Sequence, residues 1–189
     1  CGSGNFLTET YLSLRRLENE ALDIMSHGMM MLGLDDTIKV SIQQFYGIEI
    51  NDFAVTVAKT ALWIAEAQMM HETEEILHMN LQFLPLKSYA NIVEGNALRI
   101  DWNDVVDKNE LNYIMGNPPF IGQAMRSKEQ AIDMQNVFAP SNIGGKLDYV
   151  AGWFKKAFDM MKNTNIETAF VSSNSICQGE SVNLLWELL

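Results

Sequence analysis

Cysteine is almost absent from the 189 residues. Only Cys1 and Cys177 occur, at opposite ends and without metal-ligand spacing, so neither a disulfide framework nor a zinc site is implied. Histidine is equally sparse: His27, His71 and His78 are scattered, read as ordinary surface or core residues, and no metal is expected. No run of about eighteen uninterrupted apolar residues suggests a membrane span, and the N-terminal stretch lacks the charged, apolar and cleavage regions of a signal peptide. The reading is therefore a cytoplasmic chain with no membrane partner. Basic residues are also in short supply, 13 against 24 acidic, for a net charge of −11. That balance argues against a free-standing nucleic-acid binder, which needs cations for the phosphates.

What is present is a hydrophobic fraction of 48%, enough for one domain with a real core. The charge is uneven. Residues 1–120 carry seven basic and seventeen acidic side chains, whereas residues 121–156 carry five basic (Arg126, Lys128, Lys146, Lys155, Lys156) and three acidic.

Along the chain, small and flexible Cys1-Gly2-Ser3-Gly4 leads into a helical pattern with Phe6, Tyr11, Leu14, Leu17 and Leu22 near helical spacing. "MSHGMMMLGLDDTIKVSI" has no clear period and reads as a connector, its methionines as packing filler. "QFYGIEI" is a short buried strand, followed by Asn51 or Asp52 as cap and a long helix, "FAVTVAKTALWIAEAQMM". "ANIVEGNAL" predicts a strand ending at Gly95 and "LNYIMG" another ending at Gly116. A polar loop from Gly122 to Lys146 precedes "DYVAGWFKKAFDMM", a helix with Tyr149, Trp153, Ala157 and Met160 on one face. "ETAFVSSNSI" is a further strand and "SVNLLWELL" the start of a helix. Strands alternating with helices predict an α/β chain with an open, mostly parallel sheet.

In such sheets ligands bind at the carboxyl ends of the strands. Those positions are Glu49, Gly95-Asn96, Asn117 to Phe120, and Ser172 to Ser175. Asn117-Pro118-Pro119-Phe120 carries the most chemistry. Each proline fixes its own φ and presses the residue before it into an extended conformation, so the segment is rigid before a ligand arrives. Neither proline has an N–H, which leaves the Pro118 carbonyl and the Asn117 side-chain oxygen as acceptors where donors are few. Phe120 adds an apolar ring face suited to a planar heterocycle bearing an amine. Cys1-Gly2-Ser3-Gly4 before a helix lets backbone approach a ligand. Glu49 is placed to accept from a ribose diol, and with Asn96 after the third strand these residues outline a nucleoside-cofactor pocket. The plain alternative for each is turn chemistry, since Gly, Asn, Ser and Pro are common turn formers.

In this order the motifs resemble the class I S-adenosylmethionine-dependent methyltransferases, specifically the DNA adenine-N6 group. Cys1-Gly2-Ser3-Gly4-Asn5-Phe6-Leu7 looks like the tail of that family's cofactor loop, "YGIEIND" (with Glu49 and Ile50) like its ribose-binding acidic strand, and "EGNAL" (with Asn96 and Ala97) like the strand end that contacts the cofactor's adenine. Asn117-Pro118-Pro119-Phe120 matches its catalytic motif. "KLDYVAGWFKKA" and "AFVSSNSICQGE" further resemble single-chain restriction-modification enzymes.

The resemblance implies a Rossmann-like sheet with flanking helices, S-adenosylmethionine as cofactor, and double-stranded DNA as partner through a flipped adenine. Phe120 would stack on the base, while Asn117 and Pro118 oxygens hold its two amino protons. Residues 1–189 would then be part of a catalytic domain. The family's first strand and the C-terminal strands, a target-recognition domain and a nuclease would lie elsewhere in the polypeptide. An isolated piece of this kind is expected to bind cofactor weakly and to be inactive. The positive stretch after Phe120, with Arg126, Lys128 and Lys146, would be its DNA-facing loop. Alternatives are methyl transfer to an RNA base, to a protein glutamine or to cytosine N4, and a noncatalytic α/β module.

Overall fold

The computed structural model describes residues 1–26, 38–78, 90–179 and 181–189, which form two compact units, Cys1–Glu94 and Gly95–Leu189. Most of the expected connector, residues 27–37, lies outside the described residues, and so does His27.

The first unit contains α1 (Asn5–Ser26), β1 (Tyr46–Glu49), α2 (Asp52–Leu77) and β2 (Asn91–Glu94). β1 and β2 pair in parallel, with Tyr46 opposite Asn91 and Glu49 opposite Glu94. β1 starts later than the sequence suggested. Ser41 and Gln44 form a capping box around a 3-10 turn, Ile42–Gln44, and this keeps the backbone curled until Phe45. At the other end of β1, the Asn51 side chain accepts from the Ala54 N–H at 3.0 Å and starts α2. α2 runs on to Leu77, past the expected end at Met70, and stops where His78 turns left-handed at φ 51°. Ala58, Leu62, Ala65 and Met69 of α2 share a core with Tyr11, Ile42, Phe45 and Ile92.

α1 shows a departure from its sequence pattern. Leu14 and Leu17 are exposed (42% and 62%), whereas Tyr11, Arg15, Asn19 and Leu22 are buried. The buried face includes a charge whose two terminal nitrogens find partners, while Arg15 Nε and Asn19 Nδ2 have none among the described residues. Arg15 donates to Glu18, to the Thr73 hydroxyl at 2.6 Å and to the Met69 carbonyl at 3.5 Å, and Thr73 in turn donates to Asn19 Oδ1 at 2.7 Å. A guanidinium can be buried when its partners replace water in this way.

The second unit contains β3 (Tyr113–Gly116), α3 (Lys128–Val137), α4 (Ala151–Met161), β4 (Glu167–Phe170) and α5 (Ser181–Trp186). β3 and β4 pair in parallel, with Tyr113 opposite Glu167 and Gly116 opposite Phe170. β4 ends at Phe170, and Asn174–Ile176 is a 3-10 turn where more strand was expected. The segment expected to be a polar loop, 122–146, contains α3. Ser127 accepts from the Gln130 N–H at 3.2 Å while Gln130 Oε1 accepts from the Ser127 N–H at 2.9 Å, a capping box that starts the helix. Met134 and Phe138 then anchor it in a core with Leu98, Leu147, Tyr149, Val150 and Leu185. The next turn, Asn142–Gly145, packs so closely on α3 that a Cβ on Gly144 would stand 2.3 Å from the Met134 carbonyl oxygen.

The chain is thus α/β with parallel strand pairing. Among the described residues the ladders are two parallel pairs, where the sequence suggested one open sheet. No described helix is long and apolar enough to cross a membrane.

Candidate active site

In the first unit the glycine-rich turn and the end of β1 meet at one carboxylate. Glu49 Oε2 accepts from the Gly2 N–H at 2.6 Å and from the Cys1 nitrogen at 2.9 Å, and its Oε1 accepts from the Asn51 N–H at 3.1 Å. Burial pushes the Glu49 carboxyl up, but in this chain the charged amino group of Cys1, with the Gly2 and Asn51 N–H groups, outweighs it and holds it below the usual carboxylate range. A carboxylate has about four acceptor positions. Three are taken by Cys1, Gly2 and Asn51, which leaves Oε1 able to accept one further donor. Gly2 and Gly4 both have positive φ (59° and 86°), and the Gly4 carbonyl accepts from Thr8 N–H at 2.8 Å to begin α1. Asn5 and Phe6 open that helix, and Ser3 Oγ donates to Asn5 Oδ1 at 3.1 Å. Phe6 is 42% exposed and Ile50, next to Glu49, is 66% exposed. The structure therefore brings Cys1, Gly2 and Glu49 into direct contact, with Gly4, Asn5, Phe6 and Ile50 adjacent along the chain.

In the second unit Asn96 and Ala97 follow β2 in a tight turn. Asn96 Oδ1 accepts from the Leu98 N–H at 2.9 Å, and its Nδ2 donates to Asp133 Oδ2 at 2.9 Å. The Ala97 carbonyl accepts from the Trp102 indole at 2.8 Å. Arg99 Nε donates to Asp133 Oδ1 at 2.6 Å. Burial, reinforced by the Asp133 charge, raises the Tyr149 phenol above its usual value. Sequence reasoning gave Asp133 and Arg99 no role and put Tyr149 on a helix face, whereas α4 begins only at Ala151. The Ser-x-x-Gln at 127–130 followed by Ala131, Met134 and Phe138 was the signal that could have revealed α3 and hence Asp133.

Asn117, Pro118, Pro119 and Phe120 leave the carboxyl end of β3. The strap is tied at both ends: the Gly116 carbonyl accepts from Val171 N–H at 3.0 Å, and the Ile121 carbonyl accepts from Tyr149 N–H at 3.1 Å. Between these ties Pro118 is buried, Asn117 and Pro119 are exposed, and Phe120 is 45% exposed. The two prolines restrict the backbone and the two ties fix its ends, so the asparagine and the ring are presented on a rigid segment.

The basic stretch divides into two kinds of residue. Lys128 and Lys146 are exposed, but Arg126 donates to the Gly144 and Gly145 carbonyls at 3.0 and 3.1 Å. Burial depresses its pKa. Arg126 thus pins the turn that packs on α3, an internal partner that its place in a charged loop did not suggest.

This arrangement has a family. Residues 1–189 match the family described as MmeI, DNA-methyltransferase domain, and the chain belongs to it. The chain is 42% identical over 193 residues to "DNA methyltransferase A" of Bacillus subtilis (strain 168), covering 100% of this chain and 22% of that protein. A solved structure, described as that of the Type IIL restriction-modification enzyme MmeI in complex with DNA, superposes with a TM-score of 0.91 at 42% identity, over 100% of this chain and 25% of that one. The chain therefore spans about a quarter or less of the length of these relatives.

Proposed function

We propose that the protein containing this chain transfers a methyl group from S-adenosylmethionine to the N6 amino group of adenine in DNA, as part of a restriction-modification enzyme. The observation that carries this reading is the Asn117-Pro118-Pro119-Phe120 strap, held at both ends with Asn117 and Phe120 exposed. Membership of the DNA-methyltransferase family and the likeness to a DNA-bound relative support it. On this reading residues 1–189 are part of the catalytic domain. Further strands complete a Rossmann-like sheet, recognition and nuclease parts supply most DNA contacts, and the enzyme works in the cytoplasm.

The residues present fit the cofactor. In the first unit, Glu49 retains an acceptor position suited to a ribose hydroxyl and Gly2 keeps a side chain off the turn; in the second, Asn96 Oδ1 has a second lone pair suited to an adenine amine. When bound, the cofactor supplies a methyl carbon made electrophilic by its sulfonium. Phe120 stacks on the extruded base, which cannot react while its amino group is paired in the duplex. The Asn117 side-chain oxygen and the Pro118 carbonyl accept the two amino N–H groups and localise the nitrogen lone pair outside the ring. Positioning and preorganised acceptors carry the rate. Asn117 orients without removing a proton, because an amide oxygen is a poor base; the proton released passes to water.

The test is a methyl-transfer assay with the intact parent on unmethylated duplex DNA, RNA and protein, with chromatography of the digested DNA. Labelled N6-methyladenine, absent with Asn117→Ala, is the expected result. Label in N4-methylcytosine, RNA or protein would replace the substrate assignment, and a normal rate with Asn117→Ala would remove the catalytic one.

A further inference from the structure

Asp133 is a nearly buried carboxylate, 2% exposed, on α3 and outside every motif that marks the site. Its Oδ2 accepts from Asn96 Nδ2 at 2.9 Å and more weakly from Arg99 Nη2 and the Tyr149 hydroxyl, each at 3.4 Å, while Oδ1 accepts from Arg99 Nε at 2.6 Å. An ionised carboxylate can only accept hydrogen bonds. The amide nitrogen of Asn96 is therefore the end that faces Asp133, and the oxygen is the end turned away, where it accepts from Leu98 N–H at 2.9 Å. Arg99 sets its guanidinium against the Asp133 carboxylate, with Nε 2.6 Å from Oδ1, so the charge is paired where it is buried. Asn96 is partly exposed, and its oxygen, with one hydrogen bond from Leu98 N–H, has a second lone pair.

We infer that Asp133 is a positioning residue that locks the Asn96 amide with its nitrogen on the carboxylate and its oxygen on the opposite side, so that the turn after β2 selects a ring bearing an amine over one bearing a keto oxygen. An unlocked amide can rotate by half a turn and offer its NH₂ instead, which suits the opposite ring. The inference rests on the reading of Asn96 as the contact to the cofactor's adenine.

The experiment uses the intact parent with Asp133→Ala, Asp133→Asn and Asp133→Glu. Three quantities are read: KM for S-adenosylmethionine, kcat at saturating cofactor, and preference for S-adenosylmethionine over its 6-oxo analogue, in which hypoxanthine replaces adenine. Loss of the lock is expected to raise KM about tenfold and cut the amine preference about tenfold with kcat within about twofold, as for the loss of one charge-assisted hydrogen bond. Asp133→Glu restores part of the preference. Asp133→Asn keeps the volume and serves where the alanine variant fails to fold. Unchanged KM and preference in Asp133→Asn would overturn the lock. So would a uniform fall in kcat, DNA affinity and thermal stability at unchanged preference, which marks a merely structural carboxylate. A wild-type parent that neither binds S-adenosylmethionine nor transfers methyl would instead overturn the proposed function and this inference with it.

Discussion

Ala58 Cβ, in α2, stands 2.9 Å from the place that a Cβ on Gly4 would occupy, and Gly4 itself sits at φ 86°. The start of α1 thus rests directly on α2 at a position where only a hydrogen fits. Gly4→Ala carries both a backbone strain and a steric clash, since L residues rarely adopt this φ and the neighbour, Ala58, is part of packed helix α2. A loss of about 1–3 kcal/mol is expected, read as a lower thermal unfolding temperature of the intact parent. A larger rise in KM for S-adenosylmethionine than fall in kcat would place the damage at the cofactor turn.

Glu49 makes a pH-dependent contribution. Although burial alone would raise its carboxyl, the charged amino group of Cys1 that begins this chain, together with the Gly2 and Asn51 N–H groups, depresses it in the folded 189-residue chain, the form in which wild type and variant are compared. A group whose folded pKa is depressed stabilises above its unfolded value and loses that contribution as pH falls through the folded value. Glu49→Gln should therefore unfold at a lower temperature than wild type near neutral pH. The gap should narrow as pH drops through and below the ordinary glutamate range. Thermal midpoints of both proteins along a pH series measure this; a gap constant into acid would show that the charge contributes nothing.

Phe120 is 45% exposed at the end of the rigid strap, so its ring area is available to a base. Phe120→Ala is expected to cost about 1–3 kcal/mol of base binding, the range for aromatic stacking in nucleic-acid sites. Fluorescence of 2-aminopurine at the target position in duplex DNA, titrated with the intact parent, measures the extruded population. Identical signals for wild type and variant would show that the ring does not receive the base.

Arg126 and its neighbouring lysines should separate by experiment. Arg126 is tied to Gly144 and Gly145 carbonyls, whereas Lys128 and Lys146 are exposed. Neutralising Lys128 and Lys146 is expected to lower the salt dependence of DNA binding by about one counterion per phosphate contact removed, with stability unchanged. Arg126→Ala should lower stability instead, because it leaves two carbonyls without their donor. Binding at several salt concentrations, beside thermal unfolding, distinguishes the two effects.

Much of the architecture was legible from local stereochemistry. Asn51 capping α2, glycines in the first turn, and prolines after Gly116 act within a few residues of themselves, so the ends of β1, β2 and β3 could be read directly from the chain. The rigidity expected of 117–120 rests on the same kind of local cause, since it follows from the tetrapeptide's own prolines. Helix α3 was harder, because its polar surface masks the few apolar anchors, Met134 and Phe138, and only the Ser127–Gln130 box marks its start. Other features had no local signature. Arg15 displaces Leu17 from the buried face of α1 because Thr73, 58 positions away, accepts its hydrogen bond. Asn96 and Asp133 meet across 37 positions, and Arg126 finds its carbonyls 18 and 19 positions on. The sequence by itself determined where β1, β2 and β3 stop and where α2 starts, since neighbouring atoms decide those. Only tertiary structure decided which charges are buried and which way the Asn96 amide points, because a buried polar group is tolerated only where distant chain segments bring it a partner.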